Sequence, residues 1–178
     1  MKRLAWKILV PTAALAIGFS VPAFSQGKTC YDCHTKAKQE YKKKFVHAPV
    51  AKGDCESCHD RHGFAQRLVL KKTGAELCYT CHAETKDKFS AGTVHPPVSE
   101  GACTACHNPH ASDQKALLRM TDGGPVCYAC HAETKNQAAL AVQHAPFKKQ
   151  ECASCHSAHS SPNPKLLTRS RGELCASC

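Results

Sequence analysis

Seven Cys-x-x-Cys pairs run through this chain and account for all 14 of its cysteines. They are Cys30/Cys33, Cys55/Cys58, Cys78/Cys81, Cys103/Cys106, Cys127/Cys130, Cys152/Cys155 and Cys175/Cys178. In the first six a histidine follows at once: His34, His59, His82, His107, His131 and His156. Zinc sites also use paired Cys-x-x-Cys, but zinc makes no demand on the residue directly after the second cysteine. A thioredoxin-like dithiol comes once, near a βαβ pattern, and a disulfide scaffold would not repeat this spacing. Cys-x-x-Cys-His is the attachment signature of haem c. The two thiols form thioethers to the haem vinyl groups, and the adjoining histidine ligates the iron from one side.

The motifs are periodic, and the period predicts the architecture. Cys30, Cys78, Cys127 and Cys175 are spaced 48, 49 and 48 residues apart, and Cys55, Cys103 and Cys152 are spaced 48 and 49. One unit therefore carries two motifs. The first half of a unit reads Cys-Tyr-x-Cys-His-Ala-Glu-Thr-Lys from Cys78 and from Cys127, with a looser copy at Cys30. The second half reads His-x-Pro, then Cys-x-x-Cys-His-x-x-His, then a leucine-bearing link. Three full units and the start of a fourth are present. The expected fold is mainly irregular with short α-helices, an elongated array of two-haem repeats of about 48 residues that touch chiefly their neighbours. Regular sheet is not expected.

Composition agrees with a core made of cofactor. Residues 26–178 hold 20 Leu, Val and Phe and no Ile or Trp, too little aliphatic surface for a chain to bury a core of its own. Six or seven porphyrins supply the missing apolar bulk. They also alter the charge. The formal net charge is +10, of which Lys2, Arg3 and Lys7 contribute +3. Each ferric haem with two ionised propionates contributes −1, so six bring the oxidised protein without residues 1–25 close to neutral. The basic polypeptide is thus no argument for nucleic-acid binding. Lys36, Lys38, Lys42, Lys43 and Lys44 form either a docking face for an acidic partner or a solvated helix face near propionates.

The first 25 residues read as a signal peptide. Met1-Lys2-Arg3 and Lys7 make a positive start, residues 8–19 an apolar stretch, and Ala23-Phe24-Ser25 a small-x-small cleavage site. The remainder, 26–178, is expected as one multihaem domain, exported, with no stable membrane span after cleavage. Helices are expected over Thr35–Phe45 and Ala132–Gln143. The links Gly63–Leu77, Ala111–Val126 and Ser160–Leu174 hold Gly or Pro and read as loops. Their recurring residues, Leu68, Val69 and Leu70, Leu117 and Leu118, and Leu166 and Leu167, are expected against porphyrin faces.

Six further histidines remain: His47, His62, His95, His110, His144 and His159. They fall two per unit at the same two places, one for each complete motif. A lone histidine would read as an ordinary surface or core residue. Six in register read as second axial ligands, which would close every iron to exogenous substrate. His62, His110 and His159 follow a proximal histidine by three and share its side of a helical turn, so each should serve a different haem from that neighbour. His47, His95 and His144 precede a Cys pair by eight and could cover the haem of their own half-unit. If the His62 type serves the preceding haem, all six are closed. If it serves the following one, His159 belongs to a seventh.

His-x-Pro followed by Cys-x-x-Cys-His-Asn-Pro-His, as at His95 and Cys103–His110, resembles the doubled Cys-x-x-Cys-His multihaem cytochromes c. These include decahaem periplasmic cytochromes that insert into outer-membrane porins and pentahaem donors to nitrite reductase. The resemblance covers essentially all of residues 27–178. It implies a carrier of electrons in anaerobic respiration, exported to the periplasm and placed there or against the outer membrane. Its partners would be a quinol-oxidising cytochrome and an outer-membrane porin–cytochrome complex or terminal reductase. A decahaem relative would be longer, and the seventh motif ends before its histidine, so a truncated chain is the expectation. The alternative is a multihaem reductase for nitrite, hydroxylamine or a sulfur oxyanion. It needs one open haem with acid–base groups beside it, whereas no motif here has Lys in place of its histidine.

Overall fold

The computed structural model describes residues 29–61, 69–121 and 124–178. The signal-peptide segment, His62 and Leu68 lie outside them. Every complete Cys-x-x-Cys-His forms one helical turn. The histidine amide donates to the carbonyl of the first cysteine, four residues back, at 2.8–3.0 Å in all six. Positions three and four apart share a side of such a turn, so both thiols and the imidazole leave the backbone together.

Beyond the turn the two halves of a unit diverge. In the first half the histidine caps a helix: Thr35–Glu40, Ala83–Ser90 or Ala132–Gln137. The runs of Ala, Glu, Lys and Gln favour helix, but two of the helices are shorter than expected. The first stops before Tyr41 because Phe45–Val46 is drawn into a strand. The second stops at Gln137, and the Gln143 side chain then donates to the carbonyls of Ala138 and Leu140 at 2.9 and 2.8 Å. Helices Ala75–Tyr79 and Arg171–Ala176 begin inside links read as loops. The latter is started by a capping box, in which the Glu173 amide donates to Ser170 Oγ and the Ser170 amide to the Glu173 carboxylate.

In the second half each His-x-Pro opens a one-turn helix, Ala48–Ala51, Pro96–Ser99 or Ala145–Lys148. Proline supplies the φ of a first turn at no cost in hydrogen bonds. His47, His95 and His144 sit at the N-cap in extended conformation, held clear of the turn they begin. After the Cys pair the link folds back beside the proximal histidine, which pairs with a leucine as an isolated antiparallel bridge: His59 with Leu70, His107 with Leu118, His156 with Leu167.

Three two-residue ladders complete the architecture. β1 (Phe45–Val46) pairs with β3 (Ala111–Ser112), and β2 (Thr93–Val94) with β6 (Ser160–Ser161), both antiparallel. β4 (Met120–Thr121) and β5 (Gly124–Pro125) form a hairpin. The first two ladders join a strand before His-x-Pro in one unit to a strand after Cys-x-x-Cys-His-x-x-His in the next, so successive units interlock. Lys43 Nζ and Asp113 reinforce the first at 3.1 Å, an exposed ion pair of small energetic weight.

Among the described residues only Ala111 and Tyr128 are buried apolar side chains, at 3% and 6% exposed. Ser112 and Ser161 are buried with them. Each hydroxyl is satisfied twice, donating to the Leu118 or Leu167 carbonyl and accepting from the Gln114 or Asn163 amide. The polypeptide thus has no aliphatic core among these residues.

Candidate haem centres

Four pairs of imidazoles face one another with nearly parallel planes. They are His47 with His82 at 6.1 Å between ring centroids and 15° between planes, and His59 with His110 at 6.0 Å and 13°. The others are His95 with His131 at 6.1 Å and 20°, and His107 with His159 at 5.9 Å and 7°. Two rings bound to opposite faces of one iron have a defined separation. A metal–nitrogen bond of about 2 Å and roughly 1.2 Å from nitrogen to ring centroid place the centroids about 6.4 Å apart. The pairs fit that requirement.

The hydrogen bonds fit as well. Nδ1 of His47 lies 2.9 Å from the Pro109 carbonyl, and Nδ1 of His95 lies 3.1 Å from that of Ala158. His107 Nδ1 is 2.8 Å from the Ala116 carbonyl, and His156 Nδ1 is 3.0 Å from that of Lys165. A carbonyl only accepts, so Nδ1 carries the proton and Nε2 keeps its lone pair for a metal. The last two carbonyls are aimed by left-handed backbone at Ala116 and Leu117 (φ 56° and 57°) and at Lys165 and Leu166 (58° and 57°). Non-glycine residues take up such conformations at a cost of about 1–2 kcal/mol each, and strain of this kind gathers where a side chain must be oriented. Burial, then the neighbouring histidines, hold His110 and His159 below the usual histidine pKa, again favouring the neutral, ligating form.

The thiols lie side by side in chain order. Burial, then a hydrogen bond with Cys30, raises Cys55, and burial, then Cys103, pushes Cys78 up to about 11. Burial, then Cys152, raises Cys127, and burial, then Cys130, raises Cys106. The first cysteines of the two motifs in a unit are therefore neighbours. Cys106 beside Cys130 continues the series into the next unit. Among the described residues no three His, Cys, Asp or Glu side chains converge as a zinc site would require.

The two thiols of a motif have equal standing in the sequence, but the structure does not expose them equally. The second cysteines divide by half-unit. Cys33, Cys81 and Cys130, in the first halves, are exposed, whereas Cys58, Cys106 and Cys155, in the second halves, are half-buried. The folded-back link accounts for the difference. Amides from it donate to the carbonyls of the second-half cysteines: Lys71 to Cys58 at 3.0 Å, Arg119 to Cys106 at 2.8 Å and Thr168 to Cys155 at 2.9 Å. Cys58 Sγ also lies 3.8 Å from Ser57 Oγ. The amides of Cys58 and Cys81 alike donate within their own turns, to the Cys55 and Cys78 carbonyls at 3.3 and 3.2 Å, so the link's bond to the carbonyl is what sets the second half apart. Cys33 ends the turn Cys30–Cys33, whose start is capped by Thr29 and Asp32. Cys33 and Cys81 thus lack the cover that the link gives Cys58.

The partnering of histidines corrects both schemes read from the sequence. His47 and His95 do not cover the haem of their own half-unit but face His82 and His131, the proximal residues of the next unit. His110 and His159 face neither the immediately preceding nor the following motif, but His59 and His107, the second motif one unit back. The ladders explain this: the His47 amide donates to the His110 carbonyl, and the His95 amide to the His159 carbonyl, at 2.9 Å each. Each bond ties together the two histidines that one unit boundary exchanges. Among the described residues no second imidazole faces His144 or His156. Cys175 and Cys178 are exposed on their helical turn.

The sequence reading missed Tyr41 and Phe89, which stack on His110 and His159 at centroid distances of 4.5 and 4.1 Å. Their signal was there, since they occupy equivalent places 48 residues apart. It also missed the buried Ser112 and Ser161, whose small polar side chains attract no notice in a search for core.

A family described as "Doubled CXXCH motif" matches residues 47–87, 95–136 and 144–178, more than half of the chain, and one described as "Cytochrome c554 and c-prime" matches residues 14–60. No curated protein matches the sequence. The family matches begin at His47, His95 and His144, the residues that open the exchanged half-units. No helix among the described residues is long and apolar enough to cross a membrane. With thiol pairs, neutral imidazoles and facing rings all suited to covalently held haem, the chain belongs to the doubled Cys-x-x-Cys-His family of multihaem c-type cytochromes.

Proposed function

We propose that this chain is a periplasmic electron carrier whose irons are closed on both sides by histidine. The observation that carries the proposal is the set of four facing imidazole pairs at 5.9–6.1 Å. Bound haem c supplies reversible one-electron exchange between ferric and ferrous iron. The polypeptide's part is to hold, orient and space. Cys30 and Cys33, Cys55 and Cys58, Cys78 and Cys81, and the pairs at Cys103, Cys127 and Cys152 anchor six haems. Cys175 and Cys178 offer the thiols of a seventh. His34, His59, His82, His107, His131 and His156 would each ligate the iron of one of the six. His47, His95, His110 and His159 would take the other axial position at four of them, and by its place in the repeat His144 would serve the motif of Cys175 and Cys178. Two strong-field nitrogen ligands in both oxidation states leave no vacant position for a substrate and demand little rearrangement on reduction, which suits transfer rather than catalysis.

The adjacent thiols of consecutive motifs set the attachment points in series, as a relay needs. By resemblance the partners are a quinol-oxidising cytochrome of the inner membrane and an outer-membrane porin–cytochrome complex or terminal reductase. Optical and magnetic spectra of the full-length holoprotein test the reading. Low-spin haems in both oxidation states, slow to bind carbon monoxide or nitrite, are expected. A stoichiometric high-spin haem at a motif with two facing imidazoles, binding nitrite rapidly, overturns it in favour of a reductase.

A further inference from the structure

The axial histidines differ in what stops them turning about the iron–nitrogen bond. His47, His95, His107 and His156 are each pinned by a hydrogen bond from Nδ1 to a backbone carbonyl. Among the described residues His110 and His159 have no such bond. Each instead lies under an aromatic ring: Tyr41 is stacked on His110 at 4.5 Å and 19°, and Phe89 on His159 at 4.1 Å and 13°. An imidazole that rotates about its Nε2–iron axis sweeps its face through the space beside it. For His110 and His159 that space is filled by the ring of Tyr41 or Phe89. Both aromatics come from the first half of the unit that holds the proximal partner, His59 or His107, so the ring and the proximal ligand belong to one unit while the distal ligand arrives from the next.

Resting on the bis-histidine reading above, we propose that Tyr41 and Phe89 are positioning residues that hold the incoming distal imidazole parallel to its proximal partner at the haems of Cys55/Cys58 and Cys103/Cys106. The ring planes of these two pairs lie within 13° and 7° of parallel. Parallel imidazoles donate π density to the same iron d orbital and split the d pair strongly. Crossed ones donate to both orbitals and bring them together. Ring angle is thus a lever on the electronic state of the iron, separate from ligand identity.

The test uses the full-length holoprotein carrying Phe89→Leu or Tyr41→Leu, read by electron paramagnetic resonance and by redox titration, with Phe89→Tyr and Tyr41→Phe as conservative controls. In each Leu variant one haem's worth of the rhombic low-spin signal should be lost to a broader, more axial low-spin signal. The potential of one haem should move, the rest should stay, and the controls should match the unmodified protein. A structural role alone would lower the melting temperature without changing the type of signal. If the unmodified protein lacks low-spin bis-histidine signals, the ligand reading falls and this inference with it. If those signals are present and neither Leu variant alters them, the inference alone is overturned. The two positions lie in different units, so if one variant misfolds the other decides.

Discussion

Replacing His95 with Ala separates the observed pairing from the one that chain order suggests. The ring of His95 stands 6.1 Å from that of His131, while His107 is faced by His159 at 5.9 Å. Loss of His95 should therefore open the haem of Cys127/Cys130 and leave the haem of Cys103/Cys106 closed, although His95 is only eight residues before Cys103. The polypeptide loses little. The His95 amide keeps its 2.9 Å bond to the His159 carbonyl, because that bond is made by the backbone. The 3.1 Å bond from Nδ1 to the Ala158 carbonyl is lost, a net contribution of about 1 kcal/mol at most, because Ala158 is exposed and water can take over its carbonyl. The expected result is a folded holoprotein that binds one more carbon monoxide per chain than the unmodified protein when reduced. Adding Cys127→Ala and Cys130→Ala should abolish the extra site, whereas adding Cys103→Ala and Cys106→Ala should leave it. An extra site that disappears with Cys103 and Cys106 instead, or no extra site at all, refutes the reasoning.

Ending the chain after Gln143 should open the haem of Cys103/Cys106 although its motif is intact, because His159 is removed; a low-spin spectrum at that haem in the truncated protein contradicts the exchange of ligands between units. Gly92→Ala should destabilise the protein by more than about 1 kcal/mol, since φ at Gly92 is 72° and a Cβ there would run into the Ser161 carbonyl. Thermal unfolding gives the size, and a rise in high-spin haem would accompany it as β2 and β6 part. Ala116→Gly should do the opposite. It relieves about 1–2 kcal/mol of left-handed strain against roughly 0.4–1 kcal/mol of added unfolded-chain entropy, raising the melting temperature while the His107 site keeps its spectrum. Cys103→Ala with Cys106→Ala should expose far more than the local turn to protease, since one haem's apolar bulk is removed from a chain with almost no aliphatic core of its own.

The turn geometry of the sites was open to reading from Cys-x-x-Cys-His alone, because positions three and four apart on one turn leave few alternatives. The two sets of histidines were legible for a similar reason: both recur with the period of the cysteines. Their partnering was not. It is decided by β1 with β3 and β2 with β6, ladders two residues long whose members include Ala111, Ser112, Ser160 and Ser161. Small and polar residues of this kind carry little strand propensity, and contacts between units leave no trace in local spacing. The unequal cover of Cys33 and Cys81 against Cys58 was hidden too, because it depends on where the link folds back. The left-handed carbonyl turns left no mark either, since Ala116, Leu117, Lys165 and Leu166 include no glycine to signal a positive φ. Helix length failed at Tyr41 because tertiary pairing of Phe45–Val46 overrode good local propensity.

Once the pairing is known, the 48-residue period reads differently. No unit contains both members of any of the four facing imidazole pairs. At the boundary between the first and second units, His47 is given forward to His82 and His110 back to His59, and the 2.9 Å bond from the His47 amide to the His110 carbonyl fastens the two exchanges together. The boundary between the second and third units repeats this with His95, His131, His159 and His107. Under the proposed ligation, closing an iron and docking a neighbouring unit would therefore be one event. His82 lies 35 residues after His47 and His131 lies 36 after His95, so the forward exchange keeps one span through the repeat. A repeat array normally gains stability from nearest-neighbour interfaces of side chains. With the bis-histidine ligation proposed above, each interface would also carry two iron–histidine bonds, and docking energy would be concentrated at the haems. The ligand exchange would then supply the contact that an aliphatic interface otherwise provides in a chain of this composition.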